Sequence, residues 1–318
     1  MIHTMPLLIR SASVGVVALA VVYTFGYSGL VATEYRSAAA DAPELFIPLP
    51  ELDKADYDAR LLALAHVSTT TLTALTATTT ATTTLPLWPV KAAYPNADAI
   101  LPFKRVVAYY GNFYSKNMGV LGEYPAEQML ATLEEEAKKG EAAAPATPVV
   151  PAIHYIAIVA QESAGKEGKY ILRMPDDQIE HALTLADRVH GIVFLDLQVG
   201  KSTLAHELPM LEKYLRMRKV HLAIDPEFSM KFGDRPGTVI GTFDAADVNY
   251  AAEYLAKLVR DNHLPPKILV VHRFTQDMVT NYKSIRPLPE VQIVMDMDGW
   301  GPQAKKKCLK LIAELRER

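Results

Sequence analysis

From Lys104 onward, short β-branched and apolar runs recur with amphipathic helical stretches between them, and that alternation restricts the chain to βαβ units around a parallel sheet. The runs are Val106–Tyr110, Ile153–Val159, Ile192–Leu195, His221–Ile224, Ile268–Val271 and Val291–Met295. Between them, Asp176–His190 carries Ile179, Leu183 and Ala186 on one face, with Gly191 where a C-terminal cap belongs. Leu204, Leu208, Leu211 and Leu215 form the stripe of the next helix, Asp244 is an N-cap for a helix over 245–262, and Pro265-Pro266 comes after it. A last helix is expected from about Gln303 to Arg318, with Ala304, Cys308, Leu311 and Leu315 inward and a basic outer face. The expected fold class is α/β, a (β/α) TIM-barrel-like domain over 104–318. It is either short of eight strands or completed by Tyr170–Arg173 and Thr238–Gly241. An open doubly wound sheet is the alternative.

The N-terminus carries a different signal. No charged residue interrupts Ser11–Thr33, a run long enough for the roughly 20 apolar residues that span a bilayer core. Arg10 precedes the run, while Glu34, Asp41 and Glu44 make its far side mainly acidic, so a transmembrane helix here leaves the N-terminus cytoplasmic and the rest periplasmic or otherwise extracytoplasmic. A cleaved signal peptide ending near Ala38-Ala39-Ala40 is the competing reading. Ser11 with Gly15, and Ala20 with Thr24 and Ser28, are spaced for small-residue helix packing in a membrane.

Residues 41–103 read as a spacer. Pro43, Pro48 and Pro50 break the chain, and a short helix over Leu52–Val67 puts Leu61, Leu62 and Leu64 on its apolar side. Eleven of the eighteen residues from Ser68 to Leu85 are Thr, too little apolar surface to fold alone. Leu87 and Trp88 are the candidate docking points of this stretch.

Composition narrows the function. With 33 Lys+Arg against 36 Asp+Glu the formal charge is -3, which lacks the basic excess that nucleic-acid binding needs. One cysteine, Cys308, allows neither an intrachain disulfide nor a Cys-based zinc site. Val199-Gly200-Lys201-Ser202-Thr203 sits between a strand and a helix but has Leu195 where a phosphate-binding loop needs its first glycine. The histidines His154, His181, His190, His206, His221, His263 and His272 fall in no H-x-x-x-H or H-E-x-x-H spacing, so no metal and no cofactor is signalled.

What remains is a polar residue at each strand end: Asn112, Gln161 and Glu162, Asp196 and Gln198, Asp225 and Glu227, His272 and Arg273, Asp296 and Asp298. In a parallel barrel these ends open on one mouth, where barrel enzymes keep their chemistry. Two residues apart on an extended strand, Asp225 with Glu227 and Asp296 with Asp298 would each point one way. Paired carboxylates are the machinery of glycoside hydrolysis, so Asp196, Asp225, Glu227, Asp296 and Asp298 are the candidate catalytic residues. Through Phe194-Leu195-Asp196-Leu197-Gln198, Ala223-Ile224-Asp225-Pro226-Glu227-Phe228 and Met295-Asp296-Met297-Asp298-Gly299-Trp300, residues 104–318 resemble extracytoplasmic (β/α)-barrel proteins of glycoside-hydrolase type. The resemblance is architectural. Two functions are expected of the chain: from the anchor and the lack of a catalytic signature, an accessory subunit docked on other membrane-protein subunits, such as a photosynthetic or respiratory assembly; from the strand-end carboxylates, a membrane-tethered hydrolase acting on a glycan.

Overall fold

The computed structural model describes residues 49–65 and 93–297. Six parallel strands run in chain order across one curled half-barrel sheet: β1 (Arg105–Gly111), β2 (Val149–Ala160), β4 (Ile192–Leu197), β5 (Val220–Ile224), β7 (Lys267–His272) and β9 (Val291–Asp296). They cover the six apolar runs read from the sequence. β3 (Ile171–Arg173) does form, but it lies antiparallel on β2 rather than extending the barrel. Residues 238–241 form no strand; the nearest pairs are an isolated bridge, Pro236 to Val239, and a short separate ladder of β6 (Phe243–Asp244) with β8 (Val279–Thr280). An eight-stranded closure through those two segments is therefore not what the chain builds.

Strand parity divides the core. Ile153, Tyr155, Val193, Leu195, Leu222, Ile224, Leu269 and Val271 face the helical layer and are buried there. The alternate residues Ala152, Ile192, Phe194, Ala223, Ile268 and Val270 line the concave face in a second, smaller cluster. Strands buried on both faces read as nearly continuous hydrophobic runs, which is why they stand out in the sequence.

The helices are α1 (Lys54–Leu64), α2 (Val120–Glu123), α3 (Ala126–Ala143), α4 (Asp176–Arg188), α5 (Leu204–Glu207), α6 (Glu212–Leu215) and α7 (Ala245–Asp261). Asp244 caps α7 as expected, and Asp247 returns the bond to complete a capping box. The leucine stripe Leu204, Leu208, Leu211 and Leu215 is buried, yet the segment is not one helix: Pro209 sits at the start of a 3-10 turn over Leu208–Leu211 that separates α5 from α6. At the end of α4 the left-handed residue is His190 (φ 50°), not Gly191, whose small size instead admits the carbonyl of Pro151.

Part of the expected spacer belongs to this fold. Asn96 N–H donates to Pro289 O, and the Gln292 side chain on β9 bonds both the N–H (3.0 Å) and the carbonyl (2.6 Å) of Leu101. This strap joins β9 to the approach to β1, where a full barrel would place further strands. Helix α1 packs on the strap: Tyr57 meets Tyr94 and Phe103 edge-on at 5.6 and 5.1 Å, and the Arg60 guanidinium lies 3.8 Å from the centre of the Phe103 ring. Of Leu61, Leu62 and Leu64, only Leu61 is buried.

Among the described residues no helix is long and apolar enough to cross a membrane. The run 11–33 with Ser11, Gly15, Ala20, Thr24 and Ser28, the docking residues Leu87 and Trp88, Asp298 and the final helix all lie outside the described residues.

Candidate functional site

At the C-terminal ends of the strands the concave face turns polar. Asp196, the fifth residue of β4, is fully buried, and its Oδ2 lies 3.3 Å from His154 Nε2 on β2 and 3.1 Å from His272 Nε2 at the end of β7. Both imidazoles are themselves almost inaccessible. The two rings are 5.3 Å apart, and Tyr110 from β1 meets them edge-on at 5.0 and 5.8 Å. Side chains from β1 and β7 thus touch across three intervening strands, which only a strongly curled sheet allows.

The register explains how they meet. His154 is paired with Tyr110 on one side and Phe194 on the other, and Asp196 lies two residues further along β4 on the same face. A bulge in β2 between Ile156 and Ile158 shifts its pairing with β4 just past the site. Behind the cluster, Asp296 Oδ2 stands 3.7 Å from His272 Nδ1. Beside it, Gln198 donates from Nε2 to Tyr110 Oη (3.3 Å) and Asp225 Oδ2 (3.4 Å), while its Oε1 accepts from Ala160 N–H.

Electrostatics make Asp196 the centre. Burial by itself would raise a carboxyl pKa, but the His272 charge and the close approach of both imidazoles outweigh it and hold Asp196 well below the usual carboxylate range. The group stays ionised in a place where no lysine or arginine of the described residues pairs with it.

Of the five candidate carboxylates, Asp196 and Asp296 come together around His272. Asp225 and Glu227 do not form the expected strand-end pair, because Pro226 starts a 3-10 turn over Pro226–Phe228 and the extended geometry stops at Asp225. Asp225 instead caps that turn, its Oδ1 accepting from Glu227 N–H at 3.0 Å. Gly241 seats against the same turn, donating its N–H to Glu227 O; a Cβ there would lie 2.6 Å from the carbonyls of Pro226 and Glu227. Asn112, also expected at the mouth, is buried and spent on structure, donating to Ile156 O. Gly200, the glycine of the loop that imitates a phosphate site, has φ 53°, and its carbonyl accepts Met230 N–H, so the loop is a turn clamped to its neighbour.

Sequence reasoning passed over His154, which lies inside a strand rather than at its end. Its signal was parity: a histidine at an inward position of an otherwise apolar strand. The grouping His154, Asp196 and His272 draws on three strands, so no local spacing rule contains it. Two surface cavities lie elsewhere. One of about 610 Å³ between α1 and the strap is lined by Asp53, Arg60, Asp98, Lys104 and Arg218 among others, and shares no residue with the histidine cluster. Comparison with protein-family models, with characterised proteins and with solved structures gave no match.

Proposed function

We propose that the chain is a membrane-anchored accessory subunit whose half-barrel lies on the extracytoplasmic side and docks on other subunits of a membrane complex. The observation that carries this reading is the charge-free run Ser11–Thr33 with Arg10 before it and acidic residues after it. The mouth adds support. Asp225 is engaged as a turn cap, and Asp196 is enclosed between two imidazoles, so neither stands as the solvent-facing partner of a carboxylate pair. Gentle detergent extraction followed by sizing and intact-mass measurement tests it. A stoichiometric complex containing a chain that retains residues 1–40 is expected, whereas a free monomer beginning near Asp41 overturns the reading.

A second reading has one observation in its favour. His272 sits between Asp196 and Asp296 at the strand ends where barrels keep their reacting groups. A tethered hydrolase acting on glycan would use them there. Hydrolysis of envelope glycan by the purified chain, lost in Asp296→Asn, would favour this alternative; intact assembly without turnover favours the subunit.

A further inference from the structure

A carboxylate taken fully out of water needs a compensating positive charge, because an isolated buried ion costs many kcal/mol. Asp196 is fully buried, and the groups that approach it are the two imidazoles of His154 and His272. Its Oδ1 has no hydrogen-bond donor among the described residues, and His154 Nε2, although 3.3 Å from Oδ2, makes no hydrogen bond of acceptable geometry. One ligating atom from each of His154, Asp196 and His272 lies within 4.8 Å of the other two. Atoms bound to one ion at about 2.0–2.2 Å lie about 3.0–3.5 Å apart in tetrahedral or octahedral geometry, which matches the 3.1 and 3.3 Å separations of Asp196 Oδ2 from the two nitrogens. Lone pairs brought from three strands to one buried point are what ligands of a common cation look like.

We propose that His154, Asp196 and His272 hold one divalent first-row transition-metal ion, with the remaining coordination positions left to water or a ligand at the mouth. Two imidazoles and one carboxylate suit zinc, iron or another borderline metal, and do not suit magnesium or calcium, which take oxygen sets. Asp296 stands behind His272 on the Nδ1 side, where an outer carboxylate orients a metal-bound ring. The edge of Tyr110 packs on both imidazoles and limits their rotation. The site is independent of whether the chain docks as a subunit or turns over a glycan.

The test uses the full chain in detergent, stripped with a chelator and titrated with Zn²⁺ and, for its visible absorption, Co²⁺. One ion per chain is expected, with a Co²⁺ spectrum of mixed nitrogen and oxygen ligation and a Zn²⁺-dependent rise in melting temperature. Asp196→Asn and His272→Gln should each weaken binding at least a hundredfold, whereas the exposed histidine changes His181→Gln and His206→Gln should leave it unchanged. If Asp196→Asn fails to fold, His154→Gln with the wild-type melt decides. Failure of the wild-type chain to bind either metal, binding weakened as much by His181→Gln or His206→Gln as by the site variants, or affinity preserved in folded Asp196→Asn overturns the proposal and leaves an imidazolium as the partner of Asp196.

Discussion

The two ends of the half-barrel each bury an ionisable group, and they handle it in opposite ways. At the N-terminal end Lys267, the first residue of β7, is fully buried with its Nζ donating to Met217 O at 2.6 Å and Val220 O at 2.8 Å. A neutral amine has two N–H groups, and both are used. Burial, with the nearby Arg218 charge adding to it, pushes this lysine down to about 7. Next to it His221 accepts Ile268 N–H at Nδ1 and is held well below its ordinary pKa chiefly by burial. At the C-terminal end Asp196 keeps its charge and leaves an oxygen without a donor. The lower end has traded charge for hydrogen bonds that satisfy Lys267, although the buried His221 Nε2 has no partner among the described residues. The upper end retains charge that its neighbours do not fully satisfy, the condition of a site that binds something.

That contrast predicts where substitutions cost stability. Lys267→Ala should have the largest effect, on the order of 3 kcal/mol at pH 9, because it removes a buried stem and strands two carbonyls. The loss should shrink at lower pH, and the sign comes from linkage. Between about pH 7 and the unfolded value near 10.4 the unfolded chain holds a proton that the folded chain has released, so the wild type gains stability as pH rises through that window and is least favoured below it. Denaturant titrations at pH 6 and pH 9 check this. An equal loss at both would mean that Lys267 keeps its proton in the fold.

Gln292→Ala should come second, at about 1–2 kcal/mol, since it deletes two bonds to the Leu101 backbone. Its effect should be local: faster exchange of the Leu101 amide and looser packing of α1, with the histidine cluster unmoved. Hydrogen exchange read along the chain separates that outcome from general destabilisation. If the site loosens with the strap, the two ends are coupled and the comparison between them fails.

The same contrast explains what the sequence could and could not reveal. The strands were legible because the inner four are buried on both faces and read as mainly apolar runs, and Asp244 announced α7 by its chemistry. Local rules misled where a single residue changed the backbone: Pro209 divided the expected leucine-striped helix, and Pro226 bent the chain before Glu227 could pair with Asp225. The strap was missed because a proline-rich segment shows no periodicity, although a glutamine on β9 holds it. For the site, position at a strand end pointed to Asp196 and His272. His154 needed the curl of the sheet, a property of all the strands together that no short window of sequence carries.

The smallest stability effect is expected where function is concentrated. Asp196→Asn keeps the shape of the side chain and removes its charge. Breaking a buried ion pair costs about 3–5 kcal/mol when the remaining charge is trapped, but an imidazole can escape by giving up its proton. In chelator-treated protein at pH 8 the variant should therefore lie within about 1 kcal/mol of wild type, since the lost attraction is offset by the carboxylate no longer being desolvated. As pH falls below about 6.5 the unfolded chain protonates its histidines, while the variant no longer offers them an anion in the folded state. The gap should then widen toward pH 5. In the wild type the carboxyl is depressed by its imidazole neighbours against the opposing effect of burial, so its stabilisation grows as pH falls toward 5 and is lost as pH drops below the unfolded value near 3.9 toward the folded one. Thermal melts of the two proteins from pH 8 to pH 4 would show the curves diverging from a common neutral plateau. A large deficit already at pH 8 would mean that the mouth, like the floor, is built for stability, and the distinction between the two ends would be lost.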